Sequence, residues 1–171
     1  MSLKPLLAGA VALAMGCIAL AQTAAPLDPD WKEIDAPPPP PLRTNGLIPI
    51  EVRGSELAFG VDPASVSLGA DRVVRYVVVA QSASGVVTGI YEGINCAGAQ
   101  VKVFARHDPQ KGWVPLRDAE WKPIREGVHG RYSYAIARQG ACLGESPNES
   151  ATTIVRDLRQ PPERRFRPEY R

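Results

Sequence analysis

Val73–Arg106 reads VVRYVVVAQSASGVVTGIYEGINCAGAQVKVFAR, and its punctuation decides the fold. Val73–Gln81 is dense in β-branched residues and bounded by glycine and serine, which reads as a strand. Ser82–Gly85 turns the chain into a second strand, Val86–Cys96. Ala97-Gly98 suits a two-residue hairpin loop, and Ala99–Arg106 returns as a third strand. Asp108–Gly112 (DPQKG) then supplies another turn. Strands joined by loops this short form an up-and-down meander, because a parallel crossover needs about a dozen residues or more.

Alternation along Val86–Cys96 assigns its two faces. Val86, Thr88, Ile90, Glu92, Ile94 and Cys96 share one face; Val87, Gly89, Tyr91, Gly93 and Asn95 share the other. The aliphatic face is expected to be covered by helices, which makes Glu92 the anomaly there. A buried carboxylate must be protonated or paired, and Arg75 and Arg106 on the adjacent strands are the expected ion-pair partners. Tyr91 between two glycines either floors a shallow binding surface or fills space beneath a covering segment, and the second reading is preferred.

Flanking segments complete the domain. Leu47–Val52 and Glu56–Phe59 read as short strands, and Asp62-Pro63 opens a brief helical turn over Pro63–Val66. Trp113–Leu116 and Trp121–Ile124 carry Pro115 and Pro123, which suit a sheet edge. Arg131–Gln139 reads as a helix ending at Gly140, and Asn148 as the cap of a second helix with Ile154, Val155 and Leu158 on one face. The expected class is α+β: an antiparallel meander sheet with one or two C-terminal helices packed on one face.

The chain divides into 1–21, 22–44, 45–159 and 160–171. The first segment reads as a signal peptide: Lys4 precedes the 16-residue apolar run Pro5–Leu20, and Ala19-Leu20-Ala21 forms a small-x-small cleavage site. The run is shorter than the ~20 residues of a permanent membrane helix. A second route competes, because Leu13-Ala14-Met15-Gly16-Cys17 resembles a lipoprotein box in which Cys17 would be lipidated; Ala14 and the apolar residues after Cys17 depart from that pattern. Residues 22–44 form a proline-rich strap or linker whose Pro37–Pro41 run favours a polyproline II rod. Trp31 is placed to pin that strap to the domain. The basic, proline-rich tail 160–171, QPPERRFRPEYR, reads as disordered.

Export decides the reading of the cysteines. With Cys17 removed or lipidated, Cys96 and Cys142 remain as a pair in an oxidising compartment and are expected to form a disulfide. No CxxC or histidine spacing suggests a metal site instead.

Composition narrows function. The 171 residues carry 20 Lys+Arg against 18 Asp+Glu, too balanced for a nucleic-acid binder. No GxSxG, HExxH, GxGxxG or P-loop occurs. His107 and His129, the only histidines, are expected in exposed loops. No catalytic residue, cofactor or metal is assigned. The reading is a non-catalytic envelope domain binding an envelope protein or polymer in the periplasm, tethered to a membrane only if Cys17 is lipidated. A surface-displayed, adhesin-like lipoprotein and an enzyme with a site near Glu92 are the alternatives.

DWKE (Asp30–Glu33), the proline run, LIPIEV (Leu47–Val52), FGVDPASVSLGADRVVRYVVVAQSASG (Phe59–Gly85), YEGINC (Tyr91–Cys96) and GAC at Cys142 together resemble the CNP-one-like family of uncharacterised exported proteobacterial proteins. The resemblance runs from Asp30 to Leu158 and implies one envelope domain without a known activity. A looser similarity, in layout alone, to surface-adhesin-E-like domains implies a sheet flanked by a helix, with binding roles.

Overall fold

Seven of the eight residues of the strand Val74–Gln81 are buried, so this strand lies inside a sheet covered on both faces. The computed structural model describes residues 30–125 and 127–161. In chain order the strands are β1 (Ile48–Ile50), β2 (Ala58–Val61), β3 (Ser67–Leu68), β4 (Val74–Gln81), β5 (Val87–Asn95), β6 (Gln100–Asp108), β7 (Gly112–Pro115) and β8 (Lys122–Pro123). Helix α1 (Gly127–Ile136), the short pair β9 (Cys142–Leu143) and β10 (Ser146–Pro147), and helix α2 (Ala151–Leu158) follow.

The main sheet runs β1-β2-β4-β5-β6-β7, with β3 paired to β4 and β8 to β6. Neighbours pair antiparallel throughout, so the α+β meander holds. Both helices cover one face. Tyr132, Ile136, Ile154 and Leu158 join Val74, Tyr76, Val78, Ile90 and Ile94 in a single core, each no more than 3 % exposed. Cys96 and Cys142 are disulfide-bonded, 46 residues apart with their Cα atoms 5.8 Å apart, and the bond ties the end of β5 to the helical layer.

Three local expectations are corrected. The β5–β6 connection is a four-residue turn, since Asn95 pairs with Gln100. Ala99 takes a left-handed φ of 48°, and the Asn95 side-chain oxygen accepts from the Gly98 amide at 3.3 Å; a two-residue loop would not leave Cys96 outside the strand to reach Cys142. Helix α1 starts at Gly127, four residues ahead of the expected Arg131, and its regular part stops at Ile136. Asn148 is not the cap of α2. Its amide donates to the Gly140 carbonyl at 3.0 Å and to Asp157 at 2.9 Å, and Ser150 caps the helix by accepting from the Thr153 amide at 3.1 Å.

After α1 the backbone widens over Ala137–Ala141, where Gly140 adopts a φ of 155°. A Cβ there would sit 2.9 Å from the Leu158 amide nitrogen. Gly140→Ala is therefore expected to destabilise the domain by about 2 kcal/mol or more. A lowered urea midpoint at unchanged slope checks this.

Candidate functional site

The second face of the sheet carries Val77, Val79, Tyr91 and Ala105, all buried. Ala36 and Leu42 of the proline-rich strap pack on them together with Leu47, Val87, Phe104 and Trp113. The strap is anchored at three places by indole N–H groups, each of which needs an acceptor once it leaves water. Trp31 Nε1 donates to the Asp71 carbonyl at 2.8 Å. Trp121 Nε1 donates to Glu33 at 2.9 Å, beside a 2.8 Å ion pair between Glu33 and Lys102. Trp113 Nε1 donates to the Pro40 carbonyl at 2.7 Å. A proline run has no N–H to offer but keeps every carbonyl free, so donors on the sheet side are what can hold it.

The first anchor is reinforced by a buried charge pair. Arg75 donates to both Asp71 carboxylate oxygens at 3.0 and 2.6 Å and to the Ile34 carbonyl at 3.1 Å. Asp71 also accepts from the amides of Ile34 and Val73. Burial pushes the Asp71 carboxyl up, but the Arg75 hydrogen bond, those amides and the Arg75 charge together outweigh it and hold it below its ordinary value.

Gly89 has a packing reason. A Cβ on it would come 2.6 Å from Leu42 Cδ1, so the missing side chain is the notch that seats the end of the strap. Gly89→Val is expected to lift Leu42 and loosen residues 35–43. Trypsin cleavage at the exposed Arg43 should then be several-fold faster than in the parent protein while the fold persists; an unchanged rate would contradict the notch.

Between the strap and β7 an open groove of about 860 Å³ remains, within the range of ordinary ligand sites. Glu33–Pro39 form one wall, Pro115, Leu116 and Arg117 the other, and Tyr91 and Phe104 lie at its base. The rings do not form a flat platform: Tyr91 is tilted 45° to Phe104 and 64° to Trp113, at centroid distances of 5.5 and 6.5 Å. Tyr91 is only 2 % exposed, so it fills space beneath the strap, and the accessible ring surface of the groove comes from the half-buried Phe104 and Trp113.

Glu92 lies on the opposite face and is fully buried. The expected ion pair with Arg75 or Arg106 is corrected. Register sets Tyr76 opposite Glu92 and Arg75 opposite Gly93, so Arg75 points to the strap side. Arg106, paired with Ile90, forms no ion pair with Glu92 among the described residues. The carboxylate instead accepts from Tyr76 at 2.5 Å, Ser133 at 2.9 Å and Tyr132 at 2.9 Å. Burial pushes its pKa up; the three hydroxyls and the Arg106 charge only partly offset this. Burial and the nearby Glu92 also push the Tyr76 and Tyr132 phenols up, keeping them protonated donors.

His107 is half-buried in β6, edge-on to Trp113 at 5.3 Å, which corrects the loop expectation. The His129 side chain, the segment 1–29 with Cys17, and residues 162–171 lie outside the described residues. Among the described residues no group of three or more His, Cys, Asp or Glu is arranged to hold a metal ion.

The CNP1-like family matches residues 27–159, from the strap to the end of α2. The chain belongs to the CNP1-like family. It is 29 % identical over 145 residues to Cryptic neisserial protein 1 of Neisseria gonorrhoeae, covering 74 % of this chain and 71 % of that protein. No solved structure matches it. The CNP1-like match takes in both the strap and the sheet that carries it, so the walls and base of the groove fall inside the family's own span.

Proposed function

We propose that this CNP1-like protein is a non-catalytic cell-envelope domain that binds an envelope protein or polymer in the periplasm, through the groove between the strap and β7. The observation that carries the reading is that groove, open and lined by aromatic and proline residues on an otherwise covered sheet face. Export is supported by Lys4, the apolar run Pro5–Leu20 and Ala19-Leu20-Ala21, and by a disulfide, which persists in oxidising compartments. No helix among the described residues is long and apolar enough to cross a membrane. Chemistry at Glu92 is disfavoured by its enclosure: both carboxylate oxygens are engaged and neither is open to a substrate.

A second reading, an outer-membrane lipoprotein with surface-displayed, adhesin-like binding, is favoured by Leu13–Cys17 alone. Labelling cells with a palmitate analogue separates the two. Incorporation that is lost in Cys17→Ala supports the lipoprotein; no label supports the soluble form. The groove is tested by in-cell photo-crosslinking. A photoreactive residue at Leu116 should yield adducts that the same probe at Thr152, exposed on α2, does not. Equal adducts from both positions, or none from either, would overturn the groove as the binding site.

A further inference from the structure

The geometry points to the strap-side groove as a receptor for a second proline-rich, polyproline II segment, supplied by a partner protein. This deepens the binding role proposed above and rests on it. The same sheet face already holds one such segment in cis, which displays its chemistry. An indole N–H takes a carbonyl of the proline run, and a glycine notch seats the apolar residue that follows it. Aromatic grooves that recognise proline-rich chains work in this way, because the preformed rod loses little entropy on docking.

The groove is continuous with that docked rod. One of its walls is Glu33–Pro39, of which Pro37–Pro39 belong to the proline run and at ~3.1 Å per residue offer roughly 9 Å of parallel surface, enough for about three residues of an extended ligand. Phe104 and Trp113, both half-buried and lining the groove, offer aromatic surface against which proline rings pack. Charge is balanced around it. Glu33 and Lys102 neutralise each other, leaving Asp35 and Arg117 on opposite walls, so neither a polyanion nor a polycation has an electrostatic reason to enter. An uncharged, rigid, ring-bearing chain fits what remains.

The test uses the purified, oxidised protein, labelled with ¹⁵N and titrated with a heptaproline peptide and with a glycine–serine peptide of equal length. The three tryptophans give three indole signals to follow. Heptaproline is expected to shift the Trp113 indole and the Phe104 and Leu116 amides saturably below millimolar concentration, leaving α2 unmoved. Leu116→Asp and Ala119→Arg, at two residues that line the groove, should each weaken binding at least tenfold; an unchanged affinity in a folded variant of either overturns the proposal. No shift, or an equal shift with glycine–serine, also overturns it. Should adducts still form from Leu116 in cells, only the ligand class is lost; should those fail too, the binding role falls with it.

Discussion

Glu92→Leu should destabilise the domain by about 3–5 kcal/mol, because it leaves three buried hydroxyls without their shared acceptor. The substitution adds no large cavity, so the loss reports on polar satisfaction. Glu92→Gln, which keeps the shape and one strong acceptor, should cost about 1–2 kcal/mol. The two variants separate further by pH. A folded-state pKa raised above the ordinary 4.5 means that the native protein binds the Glu92 proton more tightly than the unfolded chain. The resulting stability is fully present below about 4.5 and is lost as pH rises through the folded value. Relative to Glu92→Gln, the parent protein should therefore lose stability from pH 4.5 upward and then level off. Urea unfolding at a series of pH values checks this; a parent protein that gains on the glutamine variant as pH rises would contradict it.

The second large effect comes from the disulfide. A 46-residue separation predicts about 4 kcal/mol of stabilisation through restriction of the unfolded chain. Cys96→Ala with Cys142→Ala is expected to lose about that much. The site lies where the four-residue turn after β5 meets β9, so loosening should concentrate in α1, Ala137–Ala141 and α2. Hydrogen exchange of the double variant should show protection lost first in those elements and last in β4 and β5. Uniform loss would mean that the bond acts on the whole domain without a weak layer.

The meander was legible because every signal in Val73–Arg106 agreed: β-branched runs, period-two alternation and short polar turns. Parity along β5 correctly joined Glu92 to Ile90, Ile94 and Cys96. Its partners were not legible, because they depend on register. Tyr76 and Arg75 are adjacent in sequence and face opposite sides, and only the pairing of Tyr76 with Glu92 says which one enters the core. Tyr132 and Ser133 come from a helix 40 and 41 residues away, a distance no local pattern spans. The cap of α2 was misplaced for a related reason: Asn148 spends its side chain on tertiary contacts with Gly140 and Asp157.

The groove was half visible. Tyr91 flanked by Gly89 and Gly93 marked a close approach on the second face, and the five prolines marked a rod. Trp31 was read as a pin for the strap, as it is; the missing signal was Trp113 and Trp121. Each indole needs an acceptor when covered; the strap supplies the Pro40 carbonyl to Trp113 and the Glu33 carboxylate to Trp121.

The central claim is that the strap lies docked on the strap-side face of the sheet, held by those indoles. Amide and indole hydrogen exchange on the ¹⁵N-labelled protein tests it most directly. Docking predicts that all three indole N–H groups and the Ile34 amide exchange at least tenfold more slowly than in a denatured control; three indoles exchanging at the free rate, in a protein whose β4 and β5 amides stay protected, would contradict it.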